Sequence, residues 1–375
     1  MKILMINKQA YPDVVGGAQV YAHELMKNLR RRGHTVKFIS STKKARSLTD
    51  YYNSLWDVKK QAEQLHRDSG FDLVNFHCSR TPSFLFSSKA FKQVPFVFNC
   101  QADPAAEYQW ETPQRTFFHY RWLRHCTGDA LKRAQKIVVL SDYVKDGITQ
   151  KYGCRYLNKM VRIPSGVDIV RFRPAPHHRE WRALRVQLNI PIRQMVFLAV
   201  RRLTRRMGLL NLVDAVKIVL EKRSYLRGRL LFVLIGKGEL REQIQQRITR
   251  YDLDDTIRLE GFVSDDLLPL YYRCADLSII PSEALEGFGL VILESWASDT
   301  PVIGTPCGAI PEVIGEFNPD MIAKSCKPKD LAEKIITTAT REKREGFYRR
   351  IAEDKFSWDV VTDKIERLFE NETGK

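Results

Sequence analysis

The chain has 375 residues, 44% of them hydrophobic and 28% charged, which favours two domains over one and matches the composition of a soluble globular protein. No apolar run approaches the length that crosses a bilayer, which argues against a transmembrane helix. The net charge of +17 suits polyanions, but its clusters (Lys43–Arg46, Arg201–Arg206, Arg341–Arg350) carry no interleaved aromatics. A generally solvated basic surface is therefore preferred, an anionic membrane comes second, and nucleic acid is disfavoured.

The elements follow in chain order. "KILMIN" has too short an apolar core for a signal peptide and reads as a first buried strand. "TVKFIS", "DLVNFH", "PFVFNC" and "KIVVLS" complete five strand candidates in the first half. "MVFLAV", "LLFVLIG", "TIRLEG", "LSIIPS" and "PVIGT" are five more in the second. All are short and rich in Val, Ile, Leu or Phe, as strands covered on both faces must be. Helical patterns such as Gln19–Arg31, Leu209–Leu220 and Leu240–Tyr251 lie between them. Such alternation, occurring twice, predicts two Rossmann-like α/β domains with parallel sheets. The proline-rich "IPSGVDIVRFRPAPHH" marks a linker, and "WDVVTDKIERLFENE" after Ser357 a last helix. The domains expected are 1–175, 176–355 and a returning helix over 356–375. Cys78, Cys100, Cys126, Cys154, Cys274, Cys307 and Cys326 form no CxxC pair and no metal spacing, so a reduced, cytoplasmic protein without a zinc site is expected.

The chemistry concentrates in "LEGFGLVILE", Leu285–Glu294, an apolar stretch that keeps two acids, Glu286 and Glu294. It follows the strand "LSIIPS", so its glycines fall where strand turns to helix. Ligands of open parallel sheets bind at the carboxyl ends of strands, and a helix start favours an anion. A carboxylate at Glu286 would lie beside that anion and accept bonds from hydroxyls. Glu294, further into a run suited to burial, needs partners, which the vicinal hydroxyls of a ribose would supply. The bland alternative is a helix cap and an ordinary ion pair.

"EGFGLVILE" resembles the E-x7-E motif of the retaining GT-B glycosyltransferases, specifically glycosyltransferase family 4. "IPSGVDIVRFRP", "LLFVLIGKGELREQI", "GFVSDDLLPLYYRCADLSIIPS" and "SWASDTPVIGTPCGAIPEVI" follow in the family's order and spacing, and "PDVVGGAQVYAHEL" resembles its Gly-Gly loop. The likeness implies the GT-B fold, two facing Rossmann-like domains with a cleft between them and a C-terminal helix crossing back to the first. It implies that Glu286 contacts the donor sugar and Glu294 the nucleotide ribose, with the amides of Gly287, Phe288, Gly289 and Leu290 meeting sugar and diphosphate. Gly16 and Gly17 would approach donor phosphate, and Gly236, Phe262 and Val263 would lie near the nucleotide.

Two departures stand out. In "VRRLTRRMGL" Arg202 matches the family's Arg, but its Lys position is Met207, with Arg206 just before it. Either arginine can pair with a leaving diphosphate. Where the family commonly has a His near the donor sugar, this chain has Gln101, which can hydrogen-bond but carries no proton at neutral pH. His77, after "DLVNF", fits cleft or core equally well. "GKGELR" lacks the third glycine of a dinucleotide fingerprint, and "DLD" at Asp252–Asp254 fits a solvated turn better than a metal motif.

The expected activity is metal-independent, cofactor-free transfer of a hexosyl group from a nucleotide sugar to an acceptor hydroxyl, with retention. The family's habit leans to UDP. The acceptor, whether a sugar, a lipid-linked molecule or a small molecule, is not legible. Competing readings are a nucleotide-sugar epimerase or hydrolase of the same fold, and a non-catalytic basic protein binding membrane or nucleic acid. "FFHYRWLRH", Phe117–His125, alternates aromatic and basic residues. It fits either an ordinary amphipathic helix or a peripheral contact with an anionic membrane at the inner face.

Overall fold

The computed structural model describes the chain except residues 8–10, 13–15, 41–47, 79–84, 86–87, 112–116 and 341–343. For 48–52, 104, 108, 109, 111, 117 and 118 only the backbone is described. The chain forms two compact units: residues 1–166 together with 358–375, and residues 167–357. Both divisions are short passages. The first lies within the turn-rich stretch that opens at Ile163, and the second falls at Ser357, before the helix Trp358–Thr373.

The first unit is built on six parallel strands in the order β2-β1-β3-β4-β5-β6. They are β1 (Lys2–Asn7), β2 (Thr35–Ser40), β3 (Leu73–Phe76), β4 (Phe96–Cys100), β5 (Lys136–Val139) and β6 (Met160–Arg162). β3 and β4 are buried along their whole length, which is why they read as largely apolar runs, interrupted by the buried Asn75 and Asn99, rather than alternating ones. The helix Gly17–Arg31 packs against the returning helix Trp358–Thr373. Trp358 lies 5.5 Å, ring to ring, from Tyr21. Outside this apolar contact, Arg31 pairs with Asp359, and Arg32 with Asp363 and Glu366.

The second unit has five parallel strands in the order β11-β10-β7-β8-β9. They are β7 (Met195–Val200), β8 (Leu230–Ile235), β9 (Ile257–Gly261), β10 (Leu277–Ile280) and β11 (Val302–Gly304). The chain starts at the centre, winds outward through β8 and β9, then returns to the other side of β7 through β10 and β11. The sheet therefore reverses its winding between β7 and β10. That point places the site.

Ten of the eleven strands among the described residues fall within the runs read from sequence. The eleventh, β6, is three residues at the sheet edge, paired only to β5 and half-exposed, so it carries no apolar signature. The helices Gly17–Arg31, Leu209–Lys222 and Arg241–Arg250 occupy the periodic segments. No helix among the described residues is long and apolar enough to cross a membrane.

Candidate active site

Where a parallel sheet reverses its winding, the loops leaving adjacent strands diverge and open a crevice at the carboxyl edge. Here the loop after β7 (201–208) meets the loop after β10 (281–289). The two are packed backbone to backbone: Glu283 N–H donates to Arg206 O at 2.8 Å. Gly208, at φ +70°, lies so close that an added Cβ would be 1.7 Å from Pro281 O. Gly236, after β8, has φ +148°, and its Cβ would be 1.8 Å from Arg201 O. Only glycine has both the backbone freedom and the missing side chain that these approaches require. The loops are thereby held as one layer.

Glu286 stands in this layer. The chain bends sharply before it, with Leu285 at φ +54°. Its carbonyl oxygen accepts Ala309 N–H at 2.8 Å, which ties it to the loop after β11. Its carboxylate Oε2 accepts from Arg201 Nη2 and, at 3.2 Å, from Ser282 Oγ, while Arg201 Nη2 also donates to Ser282 Oγ. Arg206, itself buried, donates from Nη1 to Leu285 O at 3.1 Å. Burial alone would raise the Glu286 pKa. The charge and hydrogen bond of Arg201, the charge of Arg206 and the Ser282 hydroxyl outweigh it and hold the carboxyl below its ordinary range. Glu286 is therefore an ionised acid in a positive pocket.

Glu294 lies one turn into the helix Leu290–Ala297, and its Oε2 accepts from Tyr272 Oη at 2.8 Å. Here burial prevails over the Tyr272 bond and the charge of Arg171, and the pKa is raised. The two acids are thus pushed in opposite directions by their surroundings. Gly289 caps the helix at φ +88°. Phe288 is buried with its ring edge-on to Phe356 at 6.3 Å, so its side chain belongs to the core. Gly287 and Leu290 are half-buried at the same turn. At the outer end of the carboxyl edge, Gly236 N–H donates to Gly261 O at 2.7 Å. Beyond it Phe262 is exposed, with Lys237 Nζ 4.1 Å from its ring centre, and Val263 is half-buried.

Of the adjacent arginines, Arg202 is exposed and Arg201 is buried. Sequence reading named Arg202 and passed over Arg201. With the strand buried on both faces, two adjacent arginines just past its end give no local sign of which one turns inward. Ser282 and Tyr272 were also missed, and for Tyr272 no local pattern distinguishes a buried hydroxyl from ordinary core. Asp252–Asp254 form a turn. Asp252 has φ +54° and its carbonyl accepts from Arg227, while Asp254 accepts from Gln245 and Thr249.

In the first unit, Gly16 is extended and accepts Gln19 and Val20 N–H, both at 3.0 Å, opening the helix that begins at Gly17. Gln101 follows β4, and its Nε2 is buried without a hydrogen-bond partner. His77 is buried beside Tyr21, and one ring nitrogen meets Asn75 Oδ1 at 2.7 Å. Burial pushes its pKa down to about 3, so the imidazole is neutral. In the basic-aromatic segment, the side chains of Phe117 and Phe118 and the cluster Lys43–Arg46 lie outside the described residues. Tyr120 and Trp122 are half-buried, Arg124 and His125 exposed.

Over residues 182–358 the chain matches the family model described as glycosyl transferases group 1, and over residues 15–171 the one described as glycosyltransferase family 4. It is 23% identical to an uncharacterized glycosyltransferase of Methanocaldococcus jannaschii, over 98% of each chain. Sucrose-phosphate synthase from Thermosynechococcus elongatus superposes with a TM-score of 0.81 at 19% identity, covering 99% of this chain and 98% of that one. The Anabaena protein HepE, in complex with UDP-glucose, does so with a TM-score of 0.75 at 20% identity, covering 99% and 100%.

Proposed function

Because the chain belongs to glycosyltransferase family 4, group 1, and has the GT-B fold, we propose that it transfers a hexosyl group from a UDP-sugar to an acceptor hydroxyl with retention. The observation that carries this reading is the pair of acids at the reversal of the second sheet. Glu286 is held ionised among Arg201, Arg206 and Ser282, and Glu294 is set one turn into the adjoining helix against Tyr272. An ionised acceptor-only group suits the hydroxyls of the transferred sugar, and Glu294 suits those of the ribose. The likeness to a protein solved with UDP-glucose supports the choice of uridine.

In the proposed reaction the bond from the anomeric carbon to the diphosphate breaks. The acceptor oxygen bonds to the same face of that carbon, and its proton passes to the departing phosphate oxygen. Arg202, Arg206 and the backbone amides from Gly287 to Leu290 stabilise the charge that develops on the diphosphate. Fixed positive charge aimed at that charge is the main catalytic device, worth about 10²–10³ in rate per donor in comparable sites. No metal or cofactor enters this scheme. The acceptor is a sugar, a lipid-linked molecule or a small molecule with a free hydroxyl.

A thermal-shift series with UDP, GDP and their glucose and mannose conjugates tests the donor. A ligand at about 100 times its Kd stabilises the native state by about 2.7 kcal/mol. Stabilisation by the UDP series supports the reading, and stabilisation by the GDP series alone replaces the base. Incubation with UDP-glucose and no acceptor separates the epimerase or hydrolase alternative, which would consume it quickly. A protein whose nucleotide binding disappears at moderate salt would be the basic, non-catalytic binder instead.

A further inference from the structure

We propose that Arg201 is a positioning residue, which fixes the Glu286 carboxylate in one orientation for the hydroxyls of the donor's transferred sugar. The proposal rests on the donor reading above and adds a division of labour among neighbouring arginines. Arg201 serves the acid, which leaves Arg202 and Arg206 for the diphosphate.

The geometry separates Arg201 from a structural arginine of the same unit. Arg185 is also buried, but its guanidinium donates to the backbone carbonyls of Pro191, Ile192, Gln194 and Cys274 and to Asp276. Those bonds join several segments, as a structural role demands. Arg201 instead donates to two side-chain oxygens of one loop, Glu286 Oε2 and Ser282 Oγ. The difference lies in these partners, since the Nε of both arginines is buried without one. The side chains of Arg201 and Glu286 are only 6% and 13% exposed. At that burial the orientation of each is set by the other.

Of the described hydrogen bonds to the Glu286 carboxylate, the charged one comes from Arg201. Arg206 contributes its charge, but its described bond is to Leu285 O. Ser282 is neutral. Cys307, from the loop after β11, is pushed up to about 11 by burial and stays a thiol. Glu283, next along, is an acid raised by burial and opposed by Arg205. Without Arg201, burial would dominate at Glu286, and the carboxyl would both rotate and tend to hold a proton.

The test uses Arg201→Met and Arg201→Lys in the full chain, with folding checked by Tm. The Glu286 carboxyl is followed by carbon-13 NMR of glutamate-labelled protein, its signal identified with Glu286→Gln. Binding of UDP and of UDP-glucose is measured by calorimetry. The expected result is an upward shift of the Glu286 titration by about one to three pH units in Arg201→Met and a much smaller one in Arg201→Lys. UDP affinity should stay within about twofold in both variants. The extra affinity of UDP-glucose over UDP should vanish in Arg201→Met and survive in Arg201→Lys. An unshifted Glu286 titration overturns the proposal. So does a parallel fall in UDP and UDP-glucose affinity, which would assign Arg201 to the diphosphate. If the unaltered protein binds neither ligand, the donor reading itself fails, whereas failure in the variants alone removes only the role of Arg201.

Discussion

Glu286→Gln is the sharpest single perturbation, because it removes a charge while keeping shape. The amide oxygen can still accept from Arg201 and Ser282, but the guanidinium loses its counter-charge in a site where both side chains are largely buried. Breaking a buried pair outright costs about 3–5 kcal/mol. With the acceptor oxygen retained, a loss of about 1–2 kcal/mol is expected. In a unit of this size that lowers Tm by about 2–8 °C. Turnover should fall far more, by about 10²–10³, because in the proposed reaction the carboxylate's bonds to the sugar would tighten as charge develops at the anomeric carbon. The sign with pH also follows. The native pKa of Glu286 lies below the ordinary 4.5, so its stabilisation is complete above that value and is lost as pH falls through the native one. The stability gap between the parent chain and Glu286→Gln should therefore close only in acid. Transfer from saturating UDP-glucose and urea unfolding at pH 7 and below 4 measure both effects. Turnover within about threefold of the parent would refute the reasoning, as would a stability gap that does not change with pH.

Glu294→Ala should weaken binding of UDP itself by about 10- to 100-fold, from the loss of charged hydrogen bonds to the ribose, and unchanged UDP affinity removes that role. Arg202→Ala, at an exposed position, should lower turnover with Tm unchanged within about 1 °C, whereas Arg206→Ala should lower both, since Arg206 is buried. Kinetics and melting on the same preparations distinguish the two. Gly236→Ala should cost about 2–3 kcal/mol and also disturb the Arg201–Glu286 pair, because its Cβ would meet Arg201 O at 1.8 Å; a stable variant with normal transfer contradicts the packed-loop account. If the basic-aromatic helix rests on a bilayer, the protein will sediment with anionic vesicles at low salt and be released at moderate salt. Protein left in the supernatant at low salt ends that idea.

The sheets were legible because their strands are buried on both faces and announce themselves as apolar runs. β6 was not, since a short half-exposed edge strand is defined by its neighbour β5 and not by its own residues. Glu286 and Glu294 could be found because two acids in an apolar strand-to-helix turn require partners. Their partners lie elsewhere in the chain. Arg201 is distant in sequence and is joined to Glu286 only when β7 and β10 become neighbours, whereas Tyr272 reaches Glu294 from the helix Leu268–Cys274, on the other side of β10 in the chain. Local reading names a charge that needs company, while the sheet order decides which residue supplies it. His77 illustrates the converse: nothing in "DLVNFH" tells whether the ring is wet, and it is burial beside Tyr21 that keeps it neutral well into the acid range.

The first unit is interrupted: its sheet is complete by Arg162, but the helix that covers Gly17–Arg31 arrives only with Trp358–Thr373. During synthesis, everything from Val167 to Ser357 emerges before that covering helix does. All residues of the second unit are thus made before Tyr21 and its neighbours can meet Trp358. Fragments ending near Ser357 should accordingly contain a well-protected later unit and an early unit whose amides along Gly17–Arg31 exchange readily. The half begun first is thus the one whose residues are completed last.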